Sequence, residues 1–390
     1  MEAHRMKARL GDRSLFPDLE AWSYLNHAAI SPPSLPVRRA VTDVLDDYAR
    51  RGVGAIGTWM QHHEEVRADL AALLGVGPAD LGFITNTTQG VVAVAQCIPW
   101  RRGDGVVCFR GEFPTNVTPW QQAAATHDLR FQLIEPSLDA LEDCLKQGQR
   151  LVAVSAVQFQ TGRLMPLKQM ADMCHAHGAE LFVDSIQATG VVPMDLAALG
   201  LDYVAAGSHK WLMGLEGAGF LYVAPERIGA LRPNVAGWLS HEEPLRFLFE
   251  GAGHLRYDRA IRAQASFVEG GVHNTLGLAA FGASIRLIAQ LGIPTIFEHV
   301  TAWLDAIAPG LEARGFRALR SSDRSEQSGI GSYLPPEGVS AGALVTALSG
   351  KGVACTGPDG CFRLAPHWPN HIDEVPRVLD AIDEQLTPAT

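Results

Sequence analysis

An aspartate closes the apolar run Leu181-Phe182-Val183-Asp184, and 26 positions on a lysine sits in Gly207-Ser208-His209-Lys210-Trp211. Each follows a short β-branched or aromatic run, so each falls just past a strand. A carboxylate there is costly to bury unless it pairs. It can cap a following helix, or it can face a cationic ligand. A lysine among Gly, Ser, His and Trp is unlike an ordinary surface lysine, although an exposed loop fits the same letters. Desolvation lowers an amine's pKa and frees it to attack a carbonyl. A third feature is Thr85-Asn86-Thr87-Thr88-Gln89-Gly90, followed by apolar Val91 to Ala95. It reads as a turn into a helix N-terminus, where free N–H groups, the dipole and the hydroxyls of Thr87 and Thr88 suit an anion. Simple capping by threonine is the competing reading. No Gly-x-x-x-x-Gly-Lys or Gly-x-Gly-x-x-Gly pattern occurs there, so a nucleotide phosphate loop is not indicated.

The three parts make one chemical sense together. Pyridoxal 5′-phosphate (PLP) needs a lysine for a Schiff base, an acid that keeps its pyridine nitrogen protonated, and a cup for its phosphate. Lys210, Asp184 and the Thr87-Thr88 turn are candidates for those roles.

The elements that must position these residues alternate. Val106 to Phe109, Leu151 to Val154, Leu181 to Val183, Tyr203 to Ala206 and Gly219 to Val223 read as strands. Leu167 to His177 reads as an amphipathic helix closed by Gly178. Strand, helix, strand at this spacing predicts an α/β fold: a large domain with a mainly parallel sheet flanked by helices. In such a sheet ligands bind outside the carboxyl ends of the strands. Beyond about residue 260 the texture changes to a long Ala- and Gly-containing helix over Leu276 to Leu291, a helical stretch over Pro294 to Ala313, and a short α/β segment. We therefore expect a PLP-binding large domain over residues 15–260 and a smaller C-terminal α/β domain over 261–390. Residues 1–30 are a candidate to pack with the smaller one.

Composition narrows the function classes. The 390 residues are 47% hydrophobic and 19% charged with a formal charge of −10, as expected of a soluble globular chain. No block of Lys and Arg stands out, so no nucleic-acid partner is expected. No apolar run approaches the roughly 20 residues of a membrane span, and the polar, basic stretch from Met1 to Arg13 does not read as a secretory signal. A cytoplasmic enzyme is expected, with no membrane partner. The six cysteines are scattered without a C-x-x-C pair, which fits reduced thiols. His175 and His177 lie two apart in a predicted helix and do not share a face, so no metal site is expected.

Asp184-Ser185-Ile186-Gln187 followed by Gly207-Ser208-His209-Lys210, with the Asn-Thr-Thr-Gln-Gly turn and the opening Tyr24-Leu25-Asn26-His27-Ala28-Ala29, resembles the fold-type I PLP enzymes of aminotransferase class V. That group includes cysteine desulfurases, kynureninase and isopenicillin N epimerase-like proteins. The resemblance covers most of the chain. It implies that Lys210 carries the Schiff base and shuttles the substrate's α-proton. Asp184 would pair with the pyridine nitrogen and Gln187 with the ring oxygen. Thr87, Thr88, Ser208 and His209 would surround the phosphate, and Phe113, in Glu112-Phe113-Pro114, would lie over the ring. Arg363 would bind the substrate α-carboxylate, with Asn26 also at the substrate.

Glu269-Gly270-Gly271-Val272-His273-Asn274 resembles the loop that crosses to a partner subunit's phosphate, which implies a homodimer with composite sites and a cofactor role for Asn274. Val272 stands where related enzymes often carry Thr, and His273 or Asn274 is available to replace the lost hydroxyl. An amino-acid substrate follows, with a transaminase or C–S/β-lyase reaction favoured. Cysteine desulfuration, epimerisation and a non-catalytic PLP-binding regulator are the alternatives. Desulfurases carry a nucleophilic cysteine on a long loop before the C-terminal arginine. The segment here, Cys355 to Cys361, is short, which argues against persulfide formation while Cys355 keeps it open.

Overall fold

Leu151, Val152 and Ala153 are fully buried, as are Leu181, Phe182 and Val183. Consecutive apolar residues bury both faces of a strand, which requires helices on each side of the sheet. The computed structural model describes residues 7–386 and shows that arrangement. The chain begins with a short β1 (Ser23–Tyr24) and then builds seven strands: β2 (Leu81–Ile84), β3 (Gly105–Phe109), β4 (Arg130–Ile134), β5 (Leu151–Ser155), β6 (Glu180–Asp184), β7 (Tyr203–Gly207) and β8 (Gly219–Val223). Their order in the sheet is β2-β8-β7-β6-β5-β3-β4. Only β8 runs against its neighbours. The expected mainly parallel sheet is therefore present.

Five of these strands match the expected apolar runs. The remaining two, β2 and β4, carry weaker signals. β2 has four residues and a glycine, Gly82, where an added Cβ would meet the Ala265 carbonyl oxygen at 2.6 Å. β4, Arg-Phe-Gln-Leu-Ile, lies at the sheet edge and is partly exposed along its length.

The helices are α1 (Leu35–Arg51), α2 (Ile56–Leu74), α3 (Thr87–Cys97), α4 (Thr118–His127), α5 (Leu138–Leu145), α6 (Leu167–Ala176), the one-turn helices α7 (Leu196–Leu199), α8 (Pro225–Ile228) and α9 (Arg246–Phe249), then α10 (Thr275–Leu291) and α11 (Ile293–Glu312). α10 packs tightly on α1 and α2 because its contact face is built from Gly and Ala. At Gly282 a Cβ would approach Val66 Cγ2 to 2.5 Å, closer than side chains tolerate. Among the described residues no single helix is long and apolar enough to cross a membrane.

The C-terminal part adds β9 (Arg317–Ala318), β10 (Gly331–Leu334), α12 (Ala341–Gly350), β11 (Val353–Ala354), β12 (Phe362–Leu364) and α13 (Glu374–Leu386). β12, β10 and β9 make a three-stranded antiparallel sheet. The N-terminal segment joins this part: β1 runs parallel to β11, and Asn26 bridges Ala365. That pairing places Asn26 beside the end of the strand that holds Arg363. The first six residues of the Met1–Arg13 stretch, and the last four of the 261–390 span, lie outside the described residues.

Candidate active site

Parallel strands β5, β6 and β7 end at Ser155, Asp184 and Gly207, on the same edge of the sheet. Asp184 is 3% exposed. Its carboxylate accepts a hydrogen bond from Ile186 N at 3.0 Å, and among the described residues no side chain hydrogen-bonds to it. A turn follows Asp184 rather than a helix, so helix capping does not account for it. Burial pushes the carboxyl up to about 6, against the pull of the Ile186 N–H and Lys210.

Lys210 lies in the turn after β7. Its Nζ is 5.7 Å from the centre of the Phe113 ring and makes no hydrogen bond among the described residues. Burial pushes the ammonium down to about 8; Asp184 works against that shift and Arg363 adds to it. The turn itself is held rigidly. Ser31 N donates to His209 O at 2.8 Å, and Ser31 Oγ donates to Lys210 O at 2.6 Å. The His367 ring, through Nε2, bonds Trp211 O at 2.9 Å. Trp211 Nε1 donates to Gln187 Oε1 at 2.9 Å, and Gln187 Nε2 donates to Ala28 O at 3.0 Å, which leaves Gln187 one amide hydrogen. Gly190, at φ +107°, lets the backbones meet: a Cβ there would sit 2.4 Å from Trp211 O. The N-terminal segment, the strand-end turns and the C-terminal segment thus all anchor Lys210.

Helix α3 starts on the same edge. Asn86, not threonine, caps it by accepting from Gln89 N at 2.9 Å. Thr87 Oγ1 accepts from Gly207 N at 3.0 Å, which ties the helix start to the end of β7 and leaves the hydroxyl proton available. Thr88 shares a 3.0 Å hydrogen bond with Thr115. Ser208 is fully buried and its hydroxyl donates to Leu215 O at 2.6 Å, so its proton is engaged within the turn. The half-buried His209 ring has its pKa lowered, first by burial and then by Lys210. Asn274 caps α10, accepting from Gly277 N at 3.1 Å and donating to Gly217 O at 3.0 Å. Beside it, Val272 is 85% exposed, while the His273 ring is held by Glu269, itself paired with buried Arg67.

Arg363 is 5% exposed and has no carboxylate partner among the described residues. Its Nη1 donates to Phe159 O at 2.8 Å, and its Nε is buried without a partner. One edge of the guanidinium, Nε with Nη2, is therefore open to an incoming anion. Burial pushes this arginine down to about 10. Asn26 Oδ1, one bridge away, is likewise buried and unpaired. Phe159 packs edge-on against Phe113 with ring centres 5.3 Å apart. The chain therefore gathers Asp184, Lys210, Phe113 and Arg363, separated by up to 250 positions in sequence, around one edge of the sheet.

Three residues at this edge carried no role in the sequence. Phe159 and Ser155 follow an apolar strand without a distinctive pattern. Glu112 stands directly before Phe113, where a carboxylate in a turn reads as solvated; here it bonds Ser155 at the end of β5. All six cysteines are free and buried. Burial pushes Cys355 up to about 12 and raises Cys361 as well. Among the described residues no group of His, Cys, Asp and Glu could hold a metal ion.

Comparison with known proteins adds to this geometry. A family model described as aminotransferase class-V matches residues 23–368. An uncharacterised aminotransferase of Bacillus subtilis is 28% identical over 392 aligned positions, covering 95% of this chain and 96% of its own. The isopenicillin N epimerase of Streptomyces clavuligerus is 28% identical, covering 82% of this chain and 83% of its own. Among solved structures, a cystine C–S lyase in complex with its product cysteine persulfide superposes with a TM-score of 0.84 at 22% identity, covering 92% of this chain and 96% of its own. The apo cysteine desulfurase of Thermococcus onnurineus gives 0.82 at 23% identity, covering 93% and 94%. These structures share the fold.

Proposed function

The chain belongs to the aminotransferase class-V family of PLP-dependent enzymes, and on that premise we propose that it acts at the α-carbon of an amino acid by transamination or C–S/β-elimination, with Lys210 as the cofactor lysine. The observation that carries this reading is a half-buried lysine with an unpartnered Nζ, close enough to buried Asp184 and to the unpaired edge of buried Arg363 for both to act on its charge. A structural arginine buried as deeply as Arg363 would have an anionic partner, because an unpaired buried charge is costly. The groups present fit the cofactor: an amine close to neutrality, an acid without a competing side chain, and the hydroxyls of Thr87 and Thr88 at a helix N-terminus.

PLP supplies a carbonyl that condenses with amines and a ring that takes up the electron pair left at the α-carbon. The protein supplies the rest. Lys210 Nζ, at about 8, is partly neutral near pH 7 and so can take the α-proton and return it. Asp184 holds the proton on the pyridine nitrogen. Phe113, 45% exposed in this chain, would lie over one face of the ring. The backbone N–H groups at the start of α3, with Thr87 and Thr88, bind the phosphate. Gln187 offers its remaining amide hydrogen to the ring oxygen. Arg363 would grip the substrate α-carboxylate through Nε and Nη2 and so orient the α-carbon for attack by Lys210.

The choice among reactions rests on the thiols. Persulfide transfer needs an accessible thiolate, and both Cys355 and Cys361 are buried with raised pKa values. That favours a lyase or transaminase over a desulfurase. The exposed Val272 loop, anchored behind by Glu269 and Arg67, supports a homodimer in which each copy completes the other's phosphate site; a cytoplasmic location is part of the same reading.

The test is a panel of amino acids added to PLP-loaded protein, with visible absorbance, keto acid, pyruvate, sulfide and racemised product all read. The reading expects a spectral shift together with keto acid, or with pyruvate and sulfide. Racemised substrate alone would establish the epimerase alternative, and persulfide on Cys355 the desulfurase one. Colour without a shift for any amino acid would leave a non-catalytic binder.

A further inference from the structure

Glu112 is a second acid at the edge that holds Asp184. β3 ends at Phe109, and the chain then turns through Arg110, Gly111, Glu112 and Phe113. Glu112 Oε1 accepts from Ser155 N at 2.7 Å. Oε2 lies against Ser155 Oγ and accepts from Asn116 Nδ2 at 3.3 Å. Asn116 is held in turn by Trp120 Nε1 at 3.3 Å. Ser155 is the last residue of β5 and stands in register with Asp184, the last residue of β6. One carboxyl thus fastens both sides of the turn that presents Phe113 to Lys210, and does so one strand away from Asp184.

We propose that Glu112 is a positioning residue: its carboxyl clamps the Phe113 turn to the end of β5, and its ionisation is coupled to that of Asp184 next to it. An amide would keep an acceptor for Ser155 N but would turn an NH2 toward Asn116 Nδ2, itself a donor, so three donors suit a carboxyl better. The surroundings make the acid matter. Burial pushes Glu112 up to about 7, the three donors of Ser155 and Asn116 work against that shift, and Asp184 adds to it. The other titratable group facing it is Cys108 on β3, whose thiol is raised well above its usual range, first by burial and then by Glu112. Lys210 reaches it only through Asp184. Asp184, at about 6, ionises first, and its charge then opposes ionisation of Glu112 near neutrality, so the two carboxyls are coupled.

This inference rests on the PLP reading for its second half only, and the experiment separates the two. In the PLP-free protein, hydrogen exchange over residues 113–117 tests the clamp alone. Glu112→Ala should speed exchange there by roughly 10-fold or more, the loss expected when buried hydrogen bonds to a charged group are removed. Glu112→Gln, which keeps an acceptor for Ser155 N but turns an NH2 toward Asn116 Nδ2, should speed exchange clearly less than Glu112→Ala does. In PLP-loaded protein the visible absorbance is then titrated. Wild type should show a step near pH 7 that is absent in Glu112→Gln, whose cofactor affinity is otherwise retained. Unchanged exchange in Glu112→Ala overturns the clamp. A pH step that survives in Glu112→Gln overturns the electrostatic role. Wild-type protein that takes up no PLP would refute the proposed function while the exchange result stood.

Discussion

Strand β6 begins and ends with an acid, and the two are treated in opposite ways. At its amino end Glu180 meets Arg150 at 2.6 Å, Arg227 at 3.4 Å and the Tyr203 hydroxyl at 3.0 Å. Next to it Asp202 accepts from Leu181 N at 2.6 Å and pairs with Arg227 at 2.7 Å and His175 at 3.0 Å. At the carboxyl end, roughly 13 Å away along the strand, Asp184 and Arg363 are nearly as buried and Lys210 is half-buried, and the three form no ion pair among the described residues. The paired end holds helices and strands together. The unpaired end leaves charges exposed to whatever enters, and the fold tolerates the cost because three separate chain segments anchor it.

The contrast can be broken at several points. The largest effect is expected at Lys210. Lys210→Ala should lower turnover by roughly 10³-fold or more, since the amine that moves the α-proton is gone, while the PLP-free protein should unfold at an equal or higher urea concentration near pH 7, because a disfavoured charge is removed. Arg363→Ala should lower kcat/KM by roughly 10²-fold, the scale for truncating one partner of a buried charge pair, and most of that loss should appear in KM. At the opposite end Asp202→Asn should leave turnover per folded molecule unchanged and cost about 1–3 kcal/mol in unfolding free energy, because Arg227 keeps only Glu180 and buried hydrogen bonds to a charged acceptor are weakened. Asp184→Asn should do the reverse. It removes an acid that burial disfavours, so the PLP-free protein should gain about 1–3 kcal/mol near pH 7, while catalysis falls. If both aspartates behave alike, the division of the strand is wrong.

The pH dependence of stability gives a smaller, signed effect. Glu112 and Asp184, raised to about 7 and 6, hold protons in the folded PLP-free chain that the unfolded chain has released. Their contribution therefore declines as pH rises from about 4 to 7. Lys210, lowered to about 8, has the opposite slope: the unfolded chain binds more protons between about 8 and 10.5, so stability rises with pH across that window. Lys210→Met should flatten the alkaline slope alone, as read by denaturant titration at a series of pH values.

How much of this could be read from the sequence follows from how local each feature is. Asp184 and Lys210 stand at the ends of continuous apolar strands, and such runs declare themselves. The Thr87-Thr88 turn was legible as a helix start, but its capping residue is Asn86. β4 alternates at an edge and β2 is four residues long, so neither has a run to recognise. The union of β1 with β11, and of Asn26 with Ala365, joins segments more than 300 positions apart through two-residue strands. Glu112 escaped for a chemical reason. A glutamate between Gly111 and Phe113 looks solvated until the end of β5 is placed against it.

The most direct test is to reduce PLP-loaded protein with borohydride, digest it and locate the retained pyridoxyl group by mass spectrometry. The account predicts one modified peptide, carrying the group on Lys210. A group found instead on Lys146, Lys168 or Lys351, or no retained group at all, would contradict it.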